Sequence, residues 1–261
     1  QTSTWLQLDG KRYYADAHGA ALTGRQNVDN AEYYFDSNGV MQANRWIDQD
    51  GLSFYAQSSG IIATSTWLHL GDTWFYANEV GAKSIGLVKV GASWYHFNND
   101  GSMTASTWKQ VSDHWYYANA DGDLATGWKQ ISGAWYYLGG NGAMTTGWQQ
   151  IGGTWYYFNS DGAMATKKWI EGTFYVDGSG AMLVSTTRTI DGWTYTFDGN
   201  GRWITVNNGG YSCPAWAPIK GNASSKIYHH PWNQSYSETK PEACFSTDAQ
   251  AVAAGFRAAK R

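Results

Sequence analysis

The chain has 261 residues, a net charge of −3, two cysteines, and 16 Trp, 18 Tyr and 9 Phe. The charge is uneven: residues 1–210 carry 12 Lys and Arg against 18 Asp and Glu, whereas residues 211–261 carry 6 against 3. An acidic main body disfavours nucleic acid as a partner, and no run of about 18 apolar residues exists to span a membrane.

From the N-terminus the sequence repeats roughly every 20 residues. Each repeat closes on a glycine: Gly19, Gly39, Gly60, Gly81, Gly101, Gly122, Gly142, Gly162, Gly180 and Gly201. About ten units therefore fill residues 1–205. A second turn signal sits inside most of them, as at Asp9-Gly10, Asp50-Gly51, Leu70-Gly71, Val90-Gly91, Ser132-Gly133, Gly152-Gly153 and Asp191-Gly192. Aromatic runs such as Trp115-Tyr116-Tyr117-Ala118, bounded by X-Gly pairs, read as short strands joined by primed turns. Isolated hairpins of this size are unstable, so they must stack on their neighbours. The fold class expected is all-β: a repeat β-solenoid of stacked β-hairpins, followed by a small α+β C-terminal module. Aliphatic residues are sparse, so aromatics are expected to supply the core. Neighbouring residues of a strand face opposite ways, and the second Tyr of each pair (Tyr117, Tyr137, Tyr157) is expected to face the interior.

Residues 206–210, containing Asn207-Asn208-Gly209-Gly210, read as a short flexible linker. Residues 211–261 form a separate small module holding all four prolines and both cysteines. Thr247 and Gln250 read as a capping box for a helix over Ala249–Ala254, with Gly255 ending it. Arg257, Lys260 and Arg261 put positive charge at that end. Cys213 and Cys244 are expected to form a disulfide, which an extracellular setting permits. Free thiols, or a metal site with His229 or His230, are weaker alternatives, because a C-x-x-C pair is missing. No metal and no cofactor is expected.

The string from Thr126-Gly127-Trp128-Lys129-Gln130-Ile131 through Trp135-Tyr136-Tyr137 and Asn141-Gly142-Ala143-Met144 to Gly147-Trp148 resembles the cell-wall-binding repeat of choline-binding proteins. The likeness is strong over residues 105–166 and looser on either side. The earliest units, such as Arg12-Tyr13-Tyr14-Ala15, look more like the glucan-binding repeats of bacterial glucosyltransferases. The resemblance implies a solenoid of hairpins that binds ligand between consecutive hairpins, and attachment rather than catalysis. Residues from Pro218-Ile219-Lys220-Gly221-Asn222 to Ala258-Ala259-Lys260 resemble a short module called a sunset domain, found at the end of secreted proteins of Gram-positive bacteria.

A quaternary ammonium has no hydrogen-bond donor and is recognised by aromatic faces through the ring quadrupole. In the family, the cage walls are the Trp of Gly-Trp, a Trp seven residues on, and an aromatic from the next repeat. The residues matching here are Trp67, Trp74 and Tyr95; Trp108, Trp115 and Tyr136; Trp128, Trp135 and Tyr156; and Trp148, Trp155 and Tyr175, with Met144 or Met164 closing a side. Arg12, Gly24-Arg25, Ser53-Phe54 and Gly86-Leu87 break the pattern in other units, and a cation there repels a cationic ligand. A sugar ligand would use the same walls with Gln110, Gln130, Gln149, Gln150, Asn98, Asn119 and Asn159 around them.

No nucleophile elbow, metalloprotease motif or phosphate loop is present. His18, His69, His96 and His114 fall at different places in their repeats. The chain is therefore expected to be no enzyme. Its expected role is to attach a secreted, cell-wall-associated protein of a Gram-positive bacterium to choline-substituted teichoic acid or another wall or extracellular polysaccharide. The rival roles are a glucan-binding domain of a glucan-processing enzyme, and a structural spacer with the C-terminal module as the attachment. The sequence opens inside a repeat at Gln1-Thr2-Ser3-Thr4-Trp5, as expected of a portion of a larger secreted protein.

Overall fold

The computed structural model describes residues 3–260. Gln1 and Thr2 of the opening repeat, and Arg261 of the basic tail, lie outside the described residues. The chain forms two compact units. One runs up to Lys129 and includes Leu138–Met144; the other comprises Gln130–Tyr137 and everything from Thr145.

The first unit holds six antiparallel strand pairs. They are Thr4–Leu8 with Lys11–Ala15, Gly24–Val28 with Ala31–Phe35, Arg45–Gln49 with Leu52–Ala56, Thr66–Leu70 with Thr73–Ala77, Gly86–Val90 with Ser93–Phe97, and Thr107–Val111 with His114–Ala118. The second holds Gly147–Ile151 with Thr154–Phe158, Lys168–Ile170 with Phe174–Val176, and Thr186–Ile190 with Trp193–Phe197. The division falls among the strands Gly127–Ile131 and Ala134–Leu138.

The turns follow their residues. Asp9 (φ 49°) and Gly10 (φ 74°) are both left-handed, as a type I′ turn requires. At Leu70-Gly71 and Val90-Gly91 the glycine opens the turn instead, because Leu70 and Val90 still end their strands.

Within each unit, neighbouring hairpins are tied by one recurrent bond. The backbone N–H of Met41 donates to the Arg12 carbonyl, Lys83 to Ser53, Met103 to Trp74 and Met144 to Trp115. In the second unit Met164 donates to Trp135, Met182 to Trp155 and Trp203 to Thr173. A residue of one repeat is thus fixed on the start of the aromatic strand one and a half repeats earlier.

The interior differs from expectation. Its spine is the last residue of each second strand: Phe35, Ala56, Ala77, Phe97, Ala118, Leu138, Phe158 and Val176 are all fully buried. Tyr117, Tyr137 and Tyr157 are only half-buried. The reason is register. Tyr117 lies directly across from Trp108, and Tyr157 from Trp148, so each Tyr packs edge-on against that Trp at 5.2–5.3 Å, and Tyr157 and Trp148 flank the buried cluster of Ala165, Ile170 and Val176 from its edge.

The last hairpin continues into the C-terminal module. Trp203–Asn207 pairs with Trp193–Phe197, and the sheet runs on through Ala243–Phe245, Ile219–Asn222, Ile227–His229 and Arg257–Ala258 to seven strands. The stretch expected as a linker therefore begins inside a strand, with Val206 paired to Cys244. The module keeps its expected helix, Asp248–Ala253, capped by the Thr247 side chain accepting from the Gln250 N–H. The Gln250 side chain turns to Ser246 rather than back to the cap residue. Cys213 and Cys244 form the disulfide.

Two predictions follow from this packing. Gly122 has φ 84°, and a Cβ there would run into the Met103 sulfur. Gly122→Ala should lower stability by more than about 1 kcal/mol, read as a fall in thermal midpoint, since alanine resists positive φ. His96 is buried, bonded to Thr104 Oγ1 at 2.8 Å. Burial, and then the nearby Lys109 charge, hold its pKa below the ordinary 6.5. The unfolded chain takes up a proton that the folded one refuses. Stability is therefore full above pH 6.5 and declines as pH drops below it. A thermal midpoint measured from pH 7.5 to 5 should fall less steeply in His96→Asn. His229, lowered by burial and then by Lys220, keeps a slope of the same sign in that variant.

Candidate functional site: aromatic cages on stacked hairpins

The cage residues arise from strand alternation and from the inter-hairpin bond. The Trp opening each aromatic strand points outward, and Trp74, Trp115, Trp135 and Trp155 are all 40–42 % exposed. That constancy means one orientation is repeated along the chain.

In the first unit Trp67, Trp74 and Tyr95 come together. The two indoles meet edge to face at 6.2 Å, and Tyr95 meets Trp67 at 4.8 Å. They line a cavity of about 390 Å³ with Met103, Ala120 and Asp121. Met103 is there because its N–H is fixed on the Trp74 carbonyl. His69 stacks on Trp74 at 4.4 Å and steadies it. The Asp121 carboxylate brings negative charge to the rim.

In the second unit Trp148 and Trp155 meet at 6.4 Å, again edge to face. The third wall is Phe174, at 5.4 Å from Trp148. Tyr175, for which this place was expected, packs on Trp169 of its own hairpin instead. The ninth repeat is short, with strands of three residues, so counting from its Trp misplaces the wall by one. The buried spine gives the right count: Tyr95 lies two residues before Phe97, and Phe174 two before Val176. Met182, Val184, Gly199 and Asn200 complete a cavity of about 390 Å³.

Trp108 and Trp115 lie on the paired strands Thr107–Val111 and His114–Ala118, and Trp128 and Trp135 on Gly127–Ile131 and Ala134–Leu138. Tyr136 and Tyr156 each directly follow the outward Trp of their strands. Met144 is fixed on the Trp115 carbonyl, which associates it with that Trp, whereas Met164 is the residue fixed on Trp135.

The first three interfaces hold cations of the chain itself. The Arg12 guanidinium lies over the Trp5 ring at 4.6 Å. Arg25 lies over Phe54 at 4.0 Å and is paired with Glu32. The Lys83 ammonium lies over Trp46 at 4.9 Å, and Lys83 occupies the backbone position that Met103 and Met182 hold in the open cavities. Sequence spacing exposed Arg12 and Arg25, but Lys83 lies 30 residues from the Ser53 it binds. These contacts fall within the range of cation–π attraction.

Of the polar residues considered for sugar binding, the asparagines are engaged with neighbouring side chains, whereas two of the glutamines flank the outward tryptophans. Asn98 and Asn159 accept from Lys109 and Lys168, Asn119 donates to Asp123, and Gln110 and Gln150 lie across from Trp115 and Trp155.

Comparison with known proteins fits this geometry. The choline-binding repeat pattern matches residues 22–67, 125–169 and 145–187. A cell wall binding repeat matches 85–103 and 106–124. A family described as ArfC matches 205–258, the segment expected to be a sunset-type module. No curated protein matches the chain. Among solved structures, CbpJ from Streptococcus pneumoniae is 30 % identical, with 70 % of each chain covered and a TM-score of 0.61. The choline-binding domain of CbpL from the same organism is 31 % identical over 70 % of this chain and 97 % of that one, at 0.56. The modular autolysin LytC of S. pneumoniae, in complex with a synthetic peptidoglycan ligand, is 28 % identical over 85 % of this chain, at 0.63; the chain spans about half of it, 51 %. Hairpin stack, outward tryptophans and these matches together define a cell-wall-binding module. The chain belongs to the choline-binding repeat family.

Proposed function

We propose that the chain attaches its parent protein to choline-substituted teichoic acid by holding choline headgroups in its aromatic cages. The carrying observation is the pair of equal cavities, Trp67–Trp74–Tyr95 with Met103 and Trp148–Trp155–Phe174 with Met182. Trp108 and Trp115 of the first unit, and Trp135 and Tyr156 of the second, are proposed to contribute walls to further sites of the same kind. A trimethylammonium needs faces rather than hydrogen bonds, and each aromatic contact contributes about 0.5–2 kcal/mol. Three walls then give about 4 kcal/mol, a millimolar affinity. Linked weak sites raise overall avidity by about 10²–10⁴ on a polymer that repeats its ligand. On this reading the repeats bind rather than catalyse, and the parent is secreted and held at the wall of a Gram-positive bacterium.

Choline should raise the thermal midpoint saturably, by the equivalent of about 2.7 kcal/mol per site at a hundredfold excess over Kd. Trp155→Ala and Trp74→Ala should each reduce that rise and the number of cholines bound. A midpoint indifferent to choline, with chains still retained on purified glucan, would sink the reading in favour of sugar recognition.

Lys83 supplies a second test. Ser53→Trp with Lys83→Met gives the third interface the residues of its open neighbours, and choline uptake measured by equilibrium dialysis should rise by one equivalent. An unchanged count would mean that the chain's own cation is not what closes this interface.

A further inference from the structure

The last interface of the repeats lacks one wall, and the C-terminal module fills the gap. Trp169 stands where Trp67 and Trp148 stand, and Tyr195 meets it at 4.7 Å, as Tyr95 meets Trp67 at 4.8 Å. The place of the outward Trp is taken by Thr173. This follows from the backbone: Trp203 donates to the Thr173 carbonyl as Met103 does to Trp74 and Met182 to Trp155. Trp203 therefore sits at the methionine position. Its indole N–H is spent on the Gly172 carbonyl, which leaves its ring as the surface it offers.

The missing ring comes from outside the repeats. Trp216 lies parallel to Tyr195, 3° between planes at 5.9 Å, and edge-on to Trp203 at 5.5 Å. The result is a cavity of about 460 Å³ lined by Trp169, Gly172, Tyr195, Trp203, Trp216 and Ser246. The two open cages measure about 390 Å³ each. Four of the six lining residues are aromatic, and none is a cation. Trp216 is 49 % exposed, so it borders the cavity without sealing it. Its position is fixed on both sides. The Ala217 N–H donates to the Pro214 carbonyl in the turn that carries it. Cys213, three residues before it, is bonded to Cys244, two residues before Ser246.

We propose that this four-ring cavity is an additional site for a quaternary ammonium of the choline type, built by the last two repeats and completed by Trp216 and Ser246 of the C-terminal module. The proposal rests on the reading that the open cages bind choline. It also gives residues 211–261 a part in binding: they supply a wall that the repeat sequence has lost.

The test is a choline chloride titration of the full, disulfide-bonded chain, followed by the indole N–H signals of its tryptophans in a nitrogen-15 correlation spectrum. Trp203 and Trp216 should shift saturably alongside Trp74 and Trp155. Trp216→Leu keeps an apolar side chain but removes the π face. It should abolish the Trp203 shift and lower bound choline by one equivalent, while Trp74 and Trp155 respond as before. Trp216→Phe, which restores a ring, should recover the equivalent. Shifts at Trp74 and Trp155 with none at Trp203 and Trp216 would overturn this site and leave the wider reading standing. Silence from every indole would remove both.

Discussion

A two-stranded hairpin of five-residue strands cannot hold itself together in water. Everything else in the repeats follows from that deficit. The remedy is a backbone bond from one repeat to the aromatic strand one and a half repeats earlier, as from Met103 to Trp74 or Met182 to Trp155. The same bond that fastens the stack also sets a side chain against two outward tryptophans. Stacking and site formation are therefore one event, and a hairpin alone would have neither. The closing glycine belongs to this device too. Its positive φ turns the chain, and its missing Cβ makes room for the methionine beneath, as Gly122 does over Met103.

Side chains at the tryptophan positions and at the methionine position together decide what an interface can take. Methionine leaves a cavity at two interfaces. Lysine at position 83 puts an ammonium on Trp46, and arginines at 12 and 25 do the same for Trp5 and Phe54. One geometry thus yields open sites and self-occupied ones, and the difference lies in side chains rather than in backbone.

Much of this was legible in the sequence because turn chemistry is local. Asp9-Gly10 specifies its turn wherever it occurs, and Thr247 with Gly255 brackets its helix. Trp67, Trp74 and Tyr95 could be grouped because their spacing is regular. The spine was misplaced by one residue because the tyrosine pairs offer two apolar positions, and only cross-strand register with Trp108 or Trp148 decides between them. Tyr175 was taken for Phe174 because the ninth repeat is shortened and its outward Trp is replaced by Thr173. Lys83 and Trp216 were beyond reach: each meets its ring through the stacking of the chain, and nothing in their own neighbourhoods points there. The strand Trp203–Asn207 hid behind a glycine-asparagine run that reads as a linker.

The self-occupied interfaces differ from the open ones in what they leave exposed. An open aromatic cage leaves ring faces uncovered, as at Trp74 and Trp155. Arg12, Arg25 and Lys83 are part of the chain, so the cation–ring contacts of the opening repeats need no outside ligand. In these repeats the ring faces are already satisfied by the chain's own side chains before any outside cation arrives.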